Sequence, residues 1–158
     1  MIDDLEDLLK AAVVEVFGTM VGLQIQPEAP DTPVVNHQAT IAGAVGFIGG
    51  LTGVVYIYAP VPFALRLTGK LLRLETAQIE GDEMVNDAMG ELANMVVGHL
   101  KSRLCDRGHS CVMTIPSIVR GTQFQIEPVS STIRRVLSFR SLEYQLVVEV
   151  MLKPETKT

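Results

Sequence analysis

Tryptophan is absent from this 158-residue chain, and aromatic residues make up only 5% of it. Valine, isoleucine, leucine and methionine must therefore do most of the packing. There are only two cysteines, Cys105 and Cys111, too few for a disulfide framework in a chain of this size. With His109 between them they form a C-x5-C spacing, whereas structural zinc sites use four ligands and often a C-x2–4-C pair. His37 and His99 are remote in sequence, so no metal site is expected. No apolar run approaches the roughly 18–20 residues that span a bilayer, and Met1–Asp7 is acidic where a signal peptide is basic. A cytoplasmic protein without membrane association is expected. Basic clusters are missing too. Thirteen basic residues stand against 18 acidic ones, for a net charge of −5, and only Arg134-Arg135 are paired. That balance argues against nucleic acid as a partner. The glycines at 43–53 are not followed by Gly-Lys-Ser/Thr, so they form no phosphate-binding loop.

What the chain does have is apolar material. A hydrophobic fraction of 47% suffices for one core, and the length fits a single domain over residues 1–158. Residues 3–21 carry a helical stripe of Leu5, Leu8, Leu9, Ala12, Val13, Val16, Phe17 and Met20, with Asp3 or Asp4 as cap and Gly22 as stop. A short strand at 23–26 and a proline-rich loop at 27–36 follow. Residues 38–48 and 52–58 read as strands joined at Gly49-Gly50. The Ala/Gly content of the first suits close packing under a helix. Pro60 and Pro62 open a helix over about 64–73. A long helix runs from Gly81 to about Arg103. Strands are expected at 111–119 and 122–127, then a hairpin of 131–140 and 143–152 turning at Ser141-Leu142. Alternation in its last arm indicates one well-buried face.

An internal duplication is visible. Thr40-Ile41…Val45-Gly-Phe47 matches Thr132-Ile133…Leu137-Ser-Phe139, continuing in step through Val54/Leu146 and Tyr58/Val150. The two long helices align Glu15 with Glu91, Gly18 with Asn94 and Gly22 with Gly98. The first helix would then be a site without its carboxamide.

The functional signal lies in Asp87-Ala-Met-Gly-Glu91-Leu-Ala-Asn94-Met-Val-Val-Gly98. At about 100° per residue, Asp87, Glu91, Asn94 and Gly98 fall on one helical stripe roughly 60° wide. Val85, Ala88, Met89, Leu92, Val96 and Leu100 gather opposite. Glu91 alone reads as an ordinary solvated residue. Asn94 is less innocent, because a mid-helix asparagine competes for backbone hydrogen bonds and weakens the helix. Gly98 leaves the backbone open to close approach by another protein. His99 lies toward the apolar side and reads as a core-edge histidine.

Asp87-Ala-x-x-Glu91-Leu-Ala-Asn94-x-x-x-Gly98 resembles the signature helix of the CheC/CheX/FliY family of bacterial chemotaxis phosphatases. With a single complete motif, the chain is most similar to the CheX class. Ala12-Val-Val-Glu-Val-Phe17-Gly-Thr-Met20 and the order of elements resemble that class too. The resemblance implies an α/β (α+β) fold, pseudo-duplicated and CheC-like, with an antiparallel or mixed sheet and two long helices packed on one face. It also implies hydrolysis of the aspartyl-phosphate of a CheY-type response regulator. Glu91 would dock on the regulator's active-site lysine, and Asn94 would orient the attacking water. Asp87 and Gly98 match the pattern as partner-binding positions, with packing and helix placement as their roles. No cofactor of its own is implied, since Mg²⁺ would sit on the regulator. A homodimer is implied by resemblance. The alternative is a non-catalytic module of the same fold that sequesters a regulator or contacts flagellar or signalling machinery.

Overall fold

In the computed structural model, residues 2–35, 38–129 and 132–154 are described. Helix α1 (Ile2–Val16) runs into a π-helical turn at Phe17–Val21. Strand β1 (Gln26–Pro27) precedes the hairpin β2 (Ala39–Gly49) and β3 (Gly53–Pro60). Next come α2 (Val61–Leu72), a 3₁₀ turn (Thr76–Gln78) and α3 (Gly81–Asp106), then β4 (Cys111–Met113), β5 (Ser117–Thr122), β6 (Ile133–Ser141) and β7 (Tyr144–Leu152). The sheet order is β1-β6-β7-β3-β2-β4, with β5 also on β2. Every pairing is antiparallel.

Side chains alternate across this sheet. Gly43, Ile57, Val148 and Leu137 pair side by side across four strands and share the face on which the helices pack. Gly43 shows how tightly. A Cβ there would meet the Met89 carbonyl oxygen at 2.8 Å and the Ala93 Cβ at 3.2 Å. The small residues of β2 thus let α3 lie against the strand, as their composition suggests. The core on this face is mostly aliphatic by number, and its largest buried side chains are Phe17, Phe47, Phe63 and Phe139. Phe63 stacks on Tyr144 at 4.9 Å.

The centre of the sheet is the pair β3–β7, where the β2–β3 and β6–β7 hairpins meet. This arrangement is the duplicated architecture expected from the repeat. The gapless match does not survive along its whole length. Val45 and Leu137 share the helix face, but Val54 and Tyr58 lie on the opposite face while Leu146 and Val150 lie on the helix face. The first hairpin loop has three residues and the second two, and one residue of offset inverts every side chain after it.

Other expectations need correction. Helix α1 already begins at Ile2, so Asp4 lies within it, and its carboxylate pairs with Arg107 at 2.9 Å. Asp3's side chain and Asn36 fall outside the described residues. The strand expected at 23–26 shrinks to two residues paired with β6. The last turn is Leu142-Glu143, with Leu142 at φ 55°. Ser141 instead points inward, donating to the Gln24 carbonyl at 2.8 Å.

Strand β7 is buried on both faces rather than one. Glu149 is 2% exposed and Gln145 9%. The loop before β2 covers this side: Gln145 donates to Glu28 and to the Pro33 carbonyl, and accepts from the Val35 N–H. Glu149 accepts from Tyr58 and Arg134. The strand expected over 111–119 breaks into β4 and β5, and 122–127 forms no strand beyond Thr122. Phe47 pairs with Met113, and an unbroken ladder would then set Pro116 opposite Ala44, yet Ala44 pairs with Ser117. One extra residue is therefore accommodated as a bulge at 114–116. Proline cannot donate to the ladder, which explains why the break falls there. Within the bulge, the Thr114 N–H donates to the Gly46 carbonyl and the Thr114 hydroxyl accepts from the Gly46 N–H, each at 2.9 Å.

Candidate functional site

Helix α3 is 26 residues long and forms the rigid base of the site. Val85, Ala88, Met89, Leu92, Val96 and Leu100 are all buried at 4% exposure or less, as the periodicity predicts. No side chain caps its N-terminus. Arg120 of β5 braces the first two turns instead, donating from Nε to Asn86 Oδ1 at 2.7 Å and from its guanidinium to the Asp82 carbonyl oxygen at 3.2 Å. Asp82 and Glu83 lie in the first turn and Arg103 in the last, in line with the helix dipole.

On the opposite side of α3 the predicted stripe reaches the surface. Asp87 and Glu91 are exposed, while Asn94 and Gly98 are half-buried. Among the described residues, no hydrogen bond or ion pair engages the side chains of Glu91 or Asn94, and no side-chain polar atom is both buried and unpartnered. The carboxamide is thus held on a packed helix with its hydrogen-bonding groups uncommitted. Such a group can present one donor and one acceptor to an incoming water. Gly98 answers to no packing demand of its own chain. A Cβ there would meet nothing within 4 Å, so the packing role assigned to it does not hold, and open backbone remains.

The corresponding part of α1 is arranged differently. Glu15 is gripped by Arg103 and faces His99 Nδ1 at 3.7 Å. The Arg103 hydrogen bond and charge hold its carboxyl below the usual glutamate range. Gly22 does not lie mid-helix as Gly98 does. It sits at φ 80° and ends the π-turn, its N–H donating to the Phe17 carbonyl at 2.8 Å. Glu15 is therefore a clamp between α1 and α3, and half-buried His99 sits at its edge.

Elsewhere, Tyr58, Phe124, Arg134, Val147 and Glu149 line a cavity of about 290 Å³ on the helix-free face. Burial and the nearby Glu149 carboxylate raise the Tyr58 phenol well above its ordinary range. The ionisable groups there are paired with one another, so the cavity reads as a satisfied polar network. Cys111 begins β4 and is buried, whereas Cys105 is exposed one residue before the end of α3. Among the described residues, no three His, Cys, Asp or Glu side chains come together as a metal set. No described helix is long and apolar enough to cross a membrane.

Residues 41–140 match the family described as Chemotaxis phosphatase CheX. The chain belongs to that family. It is 26% identical over 139 residues to the CheY-P phosphatase CheX of Thermotoga maritima, covering 85% of this chain and 87% of that protein. A CheX chemotaxis protein from Desulfovibrio desulfuricans superposes with a TM-score of 0.81 at 22% identity, over 95% of this chain and 99% of that one. The CheX–CheY–BeF3–Mg complex from Borrelia burgdorferi contains a chain matching with a TM-score of 0.77 at 19% identity, over 95% and 98%. These structural likenesses establish the CheX fold across nearly the full chain.

Periodicity alone missed part of the surface around the CheX stripe. Met20, placed in the core stripe of the first helix, is 55% exposed, and Ile115, assigned to a strand, is 86% exposed. Each lies at a local irregularity, the π-turn and the bulge. The glycine after Met20-Val21 and Pro116 were the available sequence signals, but neither specifies which neighbour turns outward.

Proposed function

We propose that this protein hydrolyses the aspartyl-phosphate of a CheY-type response regulator, with Glu91 docking and Asn94 positioning the attacking water. The observation that carries the reading is the uncommitted Asn94 carboxamide beside exposed Glu91 on one stripe of a rigid helix. Membership of the CheX family and the relative described as a CheY-P phosphatase support it.

An acyl phosphate is already an activated leaving group, so the helper protein need not supply a nucleophile. Positioning and electrostatics carry most phosphoryl-transfer catalysis. Water attacks phosphorus in line, the P–O bond to the aspartyl oxygen breaks, and inorganic phosphate leaves with the regulator's carboxylate regenerated. Asn94 fixes the water through its donor and acceptor without adding a charge that would repel the phosphoryl oxygens. Glu91 forms an ion pair with the regulator's lysine, which sets register and orientation. Asp87 and the open backbone at Gly98 extend the contact. The Mg²⁺ that neutralises phosphoryl charge belongs to the regulator, and this chain supplies no cofactor. One catalytic site per chain and a homodimeric assembly complete the proposal.

The test is the decay of a phosphorylated CheY-type regulator with and without this protein. Asn94→Ala should lose about 100-fold or more of the acceleration, while its binding to the regulator trapped with beryllofluoride and Mg²⁺ stays within about threefold. An unchanged rate in Asn94→Ala would refute the water-positioning role. Binding without any acceleration by the wild type would favour the sequestering module instead.

A further inference from the structure

Two single-residue irregularities flank the stripe, and each turns an apolar side chain toward solvent. On one side, α1 ends in the π-turn. In an uninterrupted α-helix Met20 would remain within about 60° of Phe17, the core direction. The wider turn keeps Phe17 and Val21 buried and leaves Met20 55% exposed. Such π-turns recur at functional sites. Met20, Leu71, Leu72 and Met95 line a groove of about 460 Å³ whose remaining wall is α3 itself at Asp87, Ala88 and Glu91. Leu72, at the end of α2, is 46% exposed.

On the other side stands the bulge between β4 and β5. Pro116 lies over Gly90, where an added Cβ would touch the proline ring carbon at 3.4 Å. Gly90 is one turn before Asn94 on α3, on the same helical row. Next to that proline, Ile115 is 86% exposed. Bulges are over-represented beside active sites, where they re-aim a side chain. Neither apolar group is needed for the core: Met20 shares its groove with Asp87 and Glu91, and Ile115 is the neighbour of the proline that lies over Gly90, beside the stripe.

We propose that Met20 with Leu72 on one side, and Ile115 on the other, form apolar shoulders that grip the response regulator and select which regulator is served. This rests on the reading of α3 as the regulator-docking helix. The occupant is a regulator surface with large apolar side chains on both sides of a basic group. The acidic rim of Asp87 and Glu91 requires the cation, and the groove, continuous with Glu91, requires the adjoining apolar side chain. Methionine suits this task because its flexible thioether repacks against different shapes. Burying these side chains against a partner removes apolar area from water only in the complex, so the shoulders act on affinity rather than on chemistry.

The experiment uses the full chain carrying Met20→Asp with Leu72→Asp, and separately Ile115→Asp. The probe is each CheY-type regulator of the source organism, trapped with beryllofluoride and Mg²⁺ for binding and phosphorylated for turnover. Each variant should weaken binding of the served regulator about tenfold and raise KM by the same factor, with kcat within twofold. Thermal unfolding should match the wild type, since all three side chains are already exposed. Unchanged Kd and KM in both variants would overturn the proposal. So would loss of self-association with regulator binding intact, which would assign the shoulders to a second copy of this chain. If the wild type binds but does not accelerate decay, the hydrolase reading falls, and weaker binding by the variants still supports the shoulders. No binding by the wild type overturns both.

Discussion

Helices α1 and α3 begin from similar sequence, with a glutamate followed seven residues later by glycine, and arrive at opposite ends. In α1 the carboxylate of Glu15 is consumed by Arg103 and His99, and the glycine terminates the helix in a left-handed conformation. In α3 the carboxylate of Glu91 is exposed, and the glycine lies inside an unbroken helix facing open space. The difference lies in what each helix meets. The C-terminal half of α3 supplies the Arg103 guanidinium that occupies Glu15, with His99 beside it. Among the described residues, nothing reciprocates for Glu91. A motif copy becomes structural when its neighbours satisfy it, and remains available for a partner when they do not.

The strongest way to break this comparison is to remove each glutamate. Glu91→Ala should weaken regulator binding and raise KM by about 30-fold or more, because truncating one partner of a desolvated ion pair costs about 2–5 kcal/mol and each 1.4 kcal/mol is about tenfold. Glu15→Ala should leave turnover within about twofold while lowering the melting temperature slightly. Steady-state decay kinetics with parallel thermal unfolding decide this. Equal loss of turnover in both variants would show that α1 also touches the regulator.

The glycines sharpen the contrast through stability. Gly98→Ala removes a helix-interior glycine and meets no atom of its own chain, so it should stabilise the fold by about 0.5–1 kcal/mol. Its binding to the trapped regulator should weaken if backbone approach matters. Gly22→Ala forces a side chain into φ 80° and should cost about 1–2 kcal/mol. Denaturant midpoints measure both, and a shared sign would contradict the assignment.

The smallest expected effect is on acid stability. Arg103 lowers the Glu15 carboxyl in the folded protein. The clamp therefore contributes above the ordinary glutamate pKa and is lost as pH falls through the lowered folded value. Unfolding scans between pH 6 and about pH 3 should show wild type and Glu15→Gln converging toward low pH. A constant gap would place the stabilisation elsewhere.

Much of this was legible before folding. Apolar residues at helical spacing identify the buried side of α3 because burial and periodicity record the same constraint. The glycines and alanines of β2 announce a close helix, and Gly43 under Met89 is that contact. The stripe of Asp87, Glu91, Asn94 and Gly98 follows from helix geometry alone. What stayed hidden depends on partners distant in sequence. β7 reads as half-buried because Glu149 and Gln145 are polar, yet Tyr58, Arg134 and the loop at 28–35 bury them by satisfying their hydrogen bonds. The step between the two hairpins depends on one residue of loop length.

By itself, the order of residues determined the two main hairpins, the helices and the line of polar groups along the longest of them, since these follow from local period and turn chemistry. Only tertiary structure decided which glutamate is tied and which is free, and that Met20 and Ile115 face outward. Each of those outcomes depends on which side chains meet across elements far apart in the chain, and no local pattern records such a meeting.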